Sequence, residues 1–163
     1  MLRYNPDVRF IFMLRHPTDR AWSHWRMNIR RGLDALPFDA AIRQGRTRVL
    51  EEGEHSGLAR HSSYIERGYF GRQIAGLSTL FPLSNMLFLR QADLLRDPDA
   101  VLARVAAFLR IAPFGTVEPL RLNVGDTPEA AVMAPEDAAL LDSLFSADLH
   151  NLEKLTGVRL ERD

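Results

Sequence analysis

The stretch from residue 10 to residue 31 leaves few choices of fold for this chain. Its apolar run FIFML ends at Arg15, and Pro17 then stands where the first turn of a helix tolerates proline. A buried strand that passes through a short turn into a helix is typical of α/β proteins. The first helical turn of such a unit points free N–H groups at an anion. The stretch therefore predicts an α/β fold with an anion site at this helix.

Two side chains of the stretch are suited to phosphate. Arg15, at the carboxyl end of the predicted strand, offers a planar fork of donors. Ser23 falls in the second turn of the helix, and side chains of a helix tilt toward its N-terminus. The Ser23 hydroxyl can therefore point at the same anion as Arg15. The sequence predicts a phosphate site built from these two residues.

The remaining pattern predicts further strands and helices. Residues 8–14 do not alternate in polarity, which predicts a strand buried on both faces, and residues 85–89 predict a second buried strand. Helices are expected from residue 38 to residue 50 with an interruption at Gly45, from a Ser63-x-x-Glu66 capping box to about residue 80, from Pro98 onward, and from Pro135 to Gly157. In the first helix, the spacing predicts a core stripe of Ala21, Trp22, Trp25 and Ile29 and a solvated basic surface of Arg26, Arg30 and Arg31. Gly68, Gly71 and Gly76 predict either close packing against another backbone or a poor helix.

Composition excludes several classes of function. The 163 residues suit one domain, and their net charge of zero argues against a protein that coats nucleic acid or an anionic membrane. The absence of cysteine excludes disulfides, thiolate metal sites and a cysteine nucleophile. The five histidines show no metal-ligand spacing, so no metal is expected. No apolar run approaches the length of a spanning helix, and no signal pattern is present, so a cytoplasmic protein is the default expectation.

Residues 15–23, RHPTDRAWS, resemble the 3′-phosphate-binding motif R-x-P-x-x-R-x-x-S of sulfotransferases that use 3′-phosphoadenosine 5′-phosphosulfate (PAPS). The resemblance implies that Arg15 and Ser23 hold the 3′-phosphate of the nucleotide, and Arg20 matches the second arginine. Residues 85–111 are similar to the family pattern "nil.l.yEdL..dP...l..v..FLgi". Gln91 and Ala92 stand there in place of the usual aromatic residue and glutamate.

The resemblance implies further candidate residues. Arg67-Gly68-Tyr69 resembles the family's R-G-x-Y segment with one residue missing, so Tyr69 is a candidate nucleotide or acceptor contact, with a core tyrosine as the alternative. The segment that contributes to the acceptor pocket in the family contains His55, Arg60 and His61, which are candidate acceptor contacts or ordinary surface residues. Arg121 lies in a long connection, residues 111–134, that corresponds to a loop closing over the nucleotide.

The catalytic loop of the family has no counterpart in the sequence. Its glycine-rich phosphosulfate loop with a lysine, and the glutamate or histidine that deprotonates the acceptor, are expected upstream of Met1, because Lys154 is the only lysine. Residues 1–163 are therefore expected to form a single sulfotransferase-like domain, incomplete at its N-terminus. Its fold is expected to be a partial P-loop-like α/β fold of three layers. Truncation, decay of the gene and a half supplied by another chain remain open.

The predicted function is transfer of a sulfuryl group from PAPS to a hydroxyl or amine of a carbohydrate or small-molecule acceptor. This chain alone is expected to bind the 3′-phosphate side of PAPS or of 3′,5′-adenosine bisphosphate (PAP) and to be inactive. The alternative is a non-catalytic nucleotide-binding or interaction module. A P-loop kinase relative is disfavoured, because its defining loop is missing as well. No nucleic acid or membrane partner is expected, and homo-oligomerisation through an exposed edge strand stays open.

Overall fold

The computed structural model describes residue 5 and residues 7–53, 61–115, 117 and 132–162. The strands are β1 (Phe10–Leu14) and β2 (Met86–Arg90), and the helices are α1 (Pro17–Arg30), α2 (Phe38–Glu52), α3 (Phe70–Ser78), α4 (Gln91–Arg96), α5 (Pro98–Leu109) and α6 (Pro135–Thr156). Short 3₁₀ turns cover Glu66–Gly68 and Leu83–Asn85. None of the helices in these ranges is long and apolar enough to cross a membrane. The predictions for His55, Arg60 and Arg121 fall outside the described residues.

The two strands pair in parallel, with Phe10 opposite Met86 and Leu14 opposite Arg90. Side chains alternate along β1. Leu14 is buried in the core, whereas Ile11 is 41% exposed and Met13 is 44% exposed. The prediction that β1 is buried on both faces is therefore wrong, because within the described ranges only one face of the strand is packed against the core.

Glycines at two predicted helix features have a packing role. Helix α2 passes through Gly45 without interruption, and a Cβ at that residue would lie 2.6 Å from the Ser62 carbonyl oxygen. The capping-box prediction is also wrong, because α3 begins at Phe70 and a 3₁₀ turn precedes it. That turn ends at Gly68, where a Cβ would lie 2.6 Å from the Phe145 ring. Both glycines thus permit close approach between segments.

Helix α6 organises the core, and it begins at Pro135 and ends before Gly157 as predicted. Asp148, a buried residue of α6, accepts hydrogen bonds from the backbone N–H groups of Gly71 (2.7 Å) and Arg72 (2.8 Å). A Cβ at Gly71 would lie 2.4 Å from the Asp148 carbonyl oxygen, so close packing is the correct reading of this glycine. At Gly76 a Cβ would meet nothing within 4 Å, so packing does not explain that residue.

The N-terminus of α1 is fixed to α6 and to the end of the chain. Thr18 Oγ1 donates a hydrogen bond to Asp142 of α6 at 2.6 Å. The Arg162 guanidinium lies 3.1 Å from Asp19 and 3.4 Å from Asp142. These contacts hold the first turn of α1, including Pro17 at its predicted first-turn position, beside the end of β1.

Candidate functional site

A cleft of about 550 Å³ opens where the two strands end. Arg15 directly follows β1 and Gln91 directly follows β2, so the carboxyl ends of both parallel strands border the cleft. Open α/β sheets bind ligands at this edge. We call this site the basic cleft, and its lining residues are Met13, Arg15, Arg20, Ser23, His24, Met27, Arg30, Phe70 and Gln91.

One face of α1 forms the long wall of the basic cleft. This wall consists of Arg20 and of the residues 3, 4, 7 and 10 positions after it, which are Ser23, His24, Met27 and Arg30. Residues at such spacings share one helical face, and the wall extends for about 15 Å. Arg30 is exposed, as predicted for the basic surface, and it also lines the cleft. The same periodicity, counted from Arg20, is the sequence signal that identifies His24, Met27 and Arg30.

The structure brings three of the predicted residues together. Arg15, Arg20 and Ser23 all line the basic cleft, as the resemblance requires. Ser23 is exposed and Arg15 is half-buried. Gln91, which departs from the family pattern, also lines the cleft. The roles of these residues toward a nucleotide remain a prediction.

Positive charge in the basic cleft is not balanced by its lining. Three arginines and one histidine line it, and none of its lining residues carries a carboxylate in the part of the chain that the structure describes. Arg20 donates a hydrogen bond to the Tyr64 carbonyl oxygen, while its Nε is buried without a hydrogen-bond partner. Burial lowers the pKa of Arg20 to about 10, and Arg67 lowers it further than Glu66 restores it. Arg20 is still protonated at pH 7, so the cleft is cationic.

His24 is uncharged at neutral pH. Burial lowers the pKa of His24 to about 4, and the nearby charges of Arg20, Arg67 and His61 act in the same direction. The imidazole ring packs edge-on against the Tyr64 ring, with the centroids 4.9 Å apart. His24 therefore presents a neutral ring to a cationic cleft.

Tyr64 supports this wall through a buried network. Only 1% of Tyr64 is exposed, and its hydroxyl donates to Asp34 (2.7 Å) and accepts from the Asn28 side chain (2.9 Å). Arg48 donates to the same Asp34 carboxylate at 2.9 Å. Burial would raise the pKa of Asp34, but the hydrogen bonds from Arg48 and Tyr64 outweigh it and lower that pKa. The Tyr64 ring and carbonyl group, on which His24 and Arg20 rest, are thus held in place.

A second cavity, of about 210 Å³, shares Arg15 with the basic cleft. We call it the paired-arginine cavity, and its charged or titratable lining residues are Arg15, His16, Arg90, Asp93, Arg96, Glu161 and Arg162. Asp93 accepts two hydrogen bonds from Arg90 and one from Arg96, all at 2.8 Å. The hydrogen bonds from Arg90 lower the pKa of Asp93, although burial acts against them. Asp93 thus binds both Arg90 and Arg96 and compensates one of their two positive charges.

Tyr69 does not line the basic cleft. Its ring packs edge-on against Phe145, with centroids 5.4 Å apart, and it lines a different cavity of about 670 Å³ between α3 and α6. Phe70 lines the basic cleft instead. The R-G-x-Y spacing, counted from Arg67 without a gap, places its aromatic residue at Phe70. This spacing is the sequence signal that identifies Phe70, rather than Tyr69, as the cleft residue.

His61 is half-buried and does not line the basic cleft either. Its carbonyl oxygen accepts a hydrogen bond from Asn28 at 2.8 Å, and its ring acts on His24 through charge. Across the described ranges, no group of three or more histidine, aspartate or glutamate side chains is arranged to hold a metal ion.

Comparison with known proteins shows the fold. A solved structure of a sulfotransferase from Alicyclobacillus acidocaldarius matches the whole of this chain, with a TM-score of 0.77 and 23% sequence identity. This chain spans 58% of the length of that one. No protein-family model and no curated protein matches the sequence. The predicted fold class, a helix-rich α/β fold with a small parallel sheet of the P-loop-like sulfotransferase kind, is thereby confirmed.

Proposed function

We propose that the basic cleft binds the 3′-phosphate of PAPS. We further propose that the protein is a sulfotransferase, which transfers a sulfuryl group to a hydroxyl or amine of a carbohydrate or small-molecule acceptor. One observation carries this proposal: Arg15, Arg20 and Ser23 line a single cationic cleft that no carboxylate lines among the described residues. A cleft that is lined by arginines and by no carboxylate attracts an anion such as a phosphate group. The sulfotransferase fold of a similar structure supports the same reading.

The residues present fit this nucleotide. The Arg15 guanidinium can donate two hydrogen bonds to one phosphate, the Ser23 hydroxyl a third, and Arg20 adds positive charge. Phe70 and Met27 give the same cleft apolar surface, which a bare inorganic anion does not need and which a base or ribose can cover. When bound, PAPS supplies the sulfuryl group for transfer.

Turnover requires more than phosphate binding. Sulfuryl transfer develops negative charge on the oxygen that leaves with the nucleotide, and preorganised cations and N–H donors must face that oxygen. The only lysine of the sequence, Lys154, lines the cavity between α3 and α6 rather than the basic cleft. We therefore expect the 163-residue chain alone to bind nucleotide without turnover. This observation also favours the second candidate function, a nucleotide-binding module.

Calorimetric titration with PAP tests the proposal. Arg15→Ala should weaken binding about 30-fold to 100-fold, because a charge-assisted, bidentate contact is lost. Arg96→Ala is the matched control, since Arg96 is 74% exposed and already bound by Asp93, and it should leave PAP affinity unchanged. If the folded wild-type chain does not bind PAP, or if Arg15→Ala binds it as tightly, the assignment is wrong.

A turnover assay separates the two candidate functions. The chain is incubated with ³⁵S-labelled PAPS and a mixture of sugar and phenol acceptors, and labelled product is measured. Label transferred by the wild type and lost in Arg15→Ala would establish the enzyme. PAP binding without any label transfer is the result that we expect for this chain alone, and it fits both candidate functions.

A further inference from the structure

His24 has no role in the proposed phosphate contacts, although it follows Ser23 directly and lines the same cleft. Arg20 lies four residues before it on the same face of α1. An anion held by Arg15 and Ser23 would therefore lie in the cleft that His24 lines. The position of this ring calls for an explanation that phosphate binding by Arg15 and Ser23 does not give.

The ring is held in its place facing the cleft. It packs against Tyr64, whose hydroxyl is fixed between Asp34 and Asn28 at 2.7 and 2.9 Å. Asn28 is itself completely buried and donates a second hydrogen bond to the His61 carbonyl oxygen. A side chain held against such a network is preorganised for a ligand rather than free to turn into solvent.

Every charged group shown to act on His24 is positive or can become positive. These groups are Arg20 on α1, Arg67 in the 3₁₀ turn and His61, while the uncharged Tyr64 covers the ring on one side. Glu66, beside Arg67, acts on Arg20. The Nδ1 atom of His24 is buried without a hydrogen-bond partner. In the empty cleft, the positive neighbours and the burial of Nδ1 both favour the neutral ring.

We propose that His24 is a further anion-binding residue of the basic cleft, which takes up one proton from solvent when a doubly charged oxyanion enters. The neutral imidazole then becomes an imidazolium, and the anion provides the negative charge that this ring lacks in the empty cleft. Binding of a dianion is thereby favoured over binding of a monoanion of the same shape. This inference rests on the proposed function only in requiring that the cleft binds an oxyanion.

The size of the effect follows from the two protonation equilibria. His24 has a pKa of about 4 in the empty cleft. If an adjacent dianion returns it to the ordinary value of about 6.5, the dianion binds about 20-fold more tightly at pH 5 than at pH 7. Dianion affinity must rise as pH falls, because the anion-bound state holds one more proton than the empty state.

Inorganic sulfate is the suitable probe, because it stays doubly charged throughout this pH range whereas the phosphates of PAP do not. Sulfate affinity is measured by calorimetry at pH 5 and pH 7 for the wild type, His24→Gln and the control His150→Gln, an exposed position on α6. The wild type and the control should show the roughly 20-fold increase at pH 5. His24→Gln should show less than threefold, and the monoanion methyl sulfate should show little change with pH for the wild type.

A measurement on the unmodified chain covers the case in which His24→Gln fails to fold. The C2–H resonance of His24 is followed by NMR against pH, with and without saturating sulfate. A midpoint that rises by more than one pH unit with sulfate supports the proposal, and a midpoint that stays overturns it. Equal pH dependence in His24→Gln and the wild type also overturns it. If sulfate or PAP binds without a shift of the His24 midpoint, the role of His24 is wrong but the proposed function is still supported. If the folded chain binds neither anion, both proposals are wrong.

Discussion

The basic cleft and the paired-arginine cavity border the same residue, Arg15, and lie at the same edge of the sheet, yet they differ in how many of their arginines bind a carboxylate. Four arginines line the paired-arginine cavity, but Asp93 holds two of them and Asp19 and Asp142 hold a third. Three arginines line the basic cleft, and no carboxylate is among its described lining residues. The comparison teaches that an anion site is marked by unbalanced charge rather than by the number of arginines.

Among the changes that test this comparison, adding one carboxylate to the basic cleft is expected to have the largest effect. Gln91→Glu keeps the size of the side chain and places a negative charge beside the anion. It should weaken sulfate and PAP binding about 30-fold, which corresponds to about 2 kcal/mol. Isothermal titration at pH 7 measures this loss. Gln44→Glu, the same change at an exposed position of α2, should leave affinity within twofold. Unchanged affinity in Gln91→Glu would show that unbalanced positive charge does not determine anion binding in the basic cleft.

The opposite change in the paired-arginine cavity should create an anion site. Asp93→Asn removes the carboxylate that binds Arg90 and Arg96, and their freed donors should bind sulfate about tenfold more tightly than this cavity does in the wild type. NMR titration of the arginine Nε–H resonances detects the new site, and Asp99→Asn, at an exposed position of α5, is the control. Because Arg90 lowers the pKa of Asp93, the pairing in the wild type persists at every pH above the ordinary aspartate range near 4. A wild-type paired-arginine cavity that binds sulfate at pH 7 as well as the basic cleft does would contradict this prediction.

The smallest effect on anion affinity is expected from the network behind the basic cleft. Tyr64→Phe keeps the ring against His24 but removes the hydrogen bond to Asp34, so it should lower the free energy of unfolding by about 1–2 kcal/mol and sulfate affinity by less than fivefold. Urea unfolding measures the first quantity, and Tyr69→Phe is the control. Asp34 has a lowered pKa in the fold, so the stability it contributes is present above pH 4 and lost as pH falls further. The difference between wild type and Tyr64→Phe should therefore shrink below pH 4, and a difference that grows there would contradict this account.

Local sequence pattern was sufficient for the parts of the fold that one segment determines. The strand, turn and helix from β1 to α1 were predicted because apolar run, proline and helical spacing all agree within 20 or so residues. Asp97 caps α5 by accepting a hydrogen bond from the Ala100 N–H at 3.0 Å, and Gly157 ends α6 as predicted. Arg15, Arg20 and Ser23 share a cleft for the same reason, because all three belong to this one segment.

The errors occur where distant segments decide the local structure. Gly45 was expected to interrupt α2, but the approach of Ser62 explains why glycine is needed in a continuous helix. The Ser63-x-x-Glu66 pattern does not start α3, because a 3₁₀ turn intervenes and Asp148 of α6 accepts the hydrogen bond from the Gly71 N–H in the first turn of α3. The cleft residues Phe70 and Gln91 come from other elements and can be joined to α1 only through the tertiary fold.

The cap that Asp148 provides has a consequence for how the chain folds. The first turn of α3 depends on a carboxylate that lies 77 residues later in the sequence, and α6 in turn packs its backbone against Gly71. A nascent chain that stops short of residue 148 therefore lacks the two hydrogen bonds that hold the start of α3, the helix that carries Phe70. Assembly of the basic cleft must therefore wait until the last helix has been synthesised.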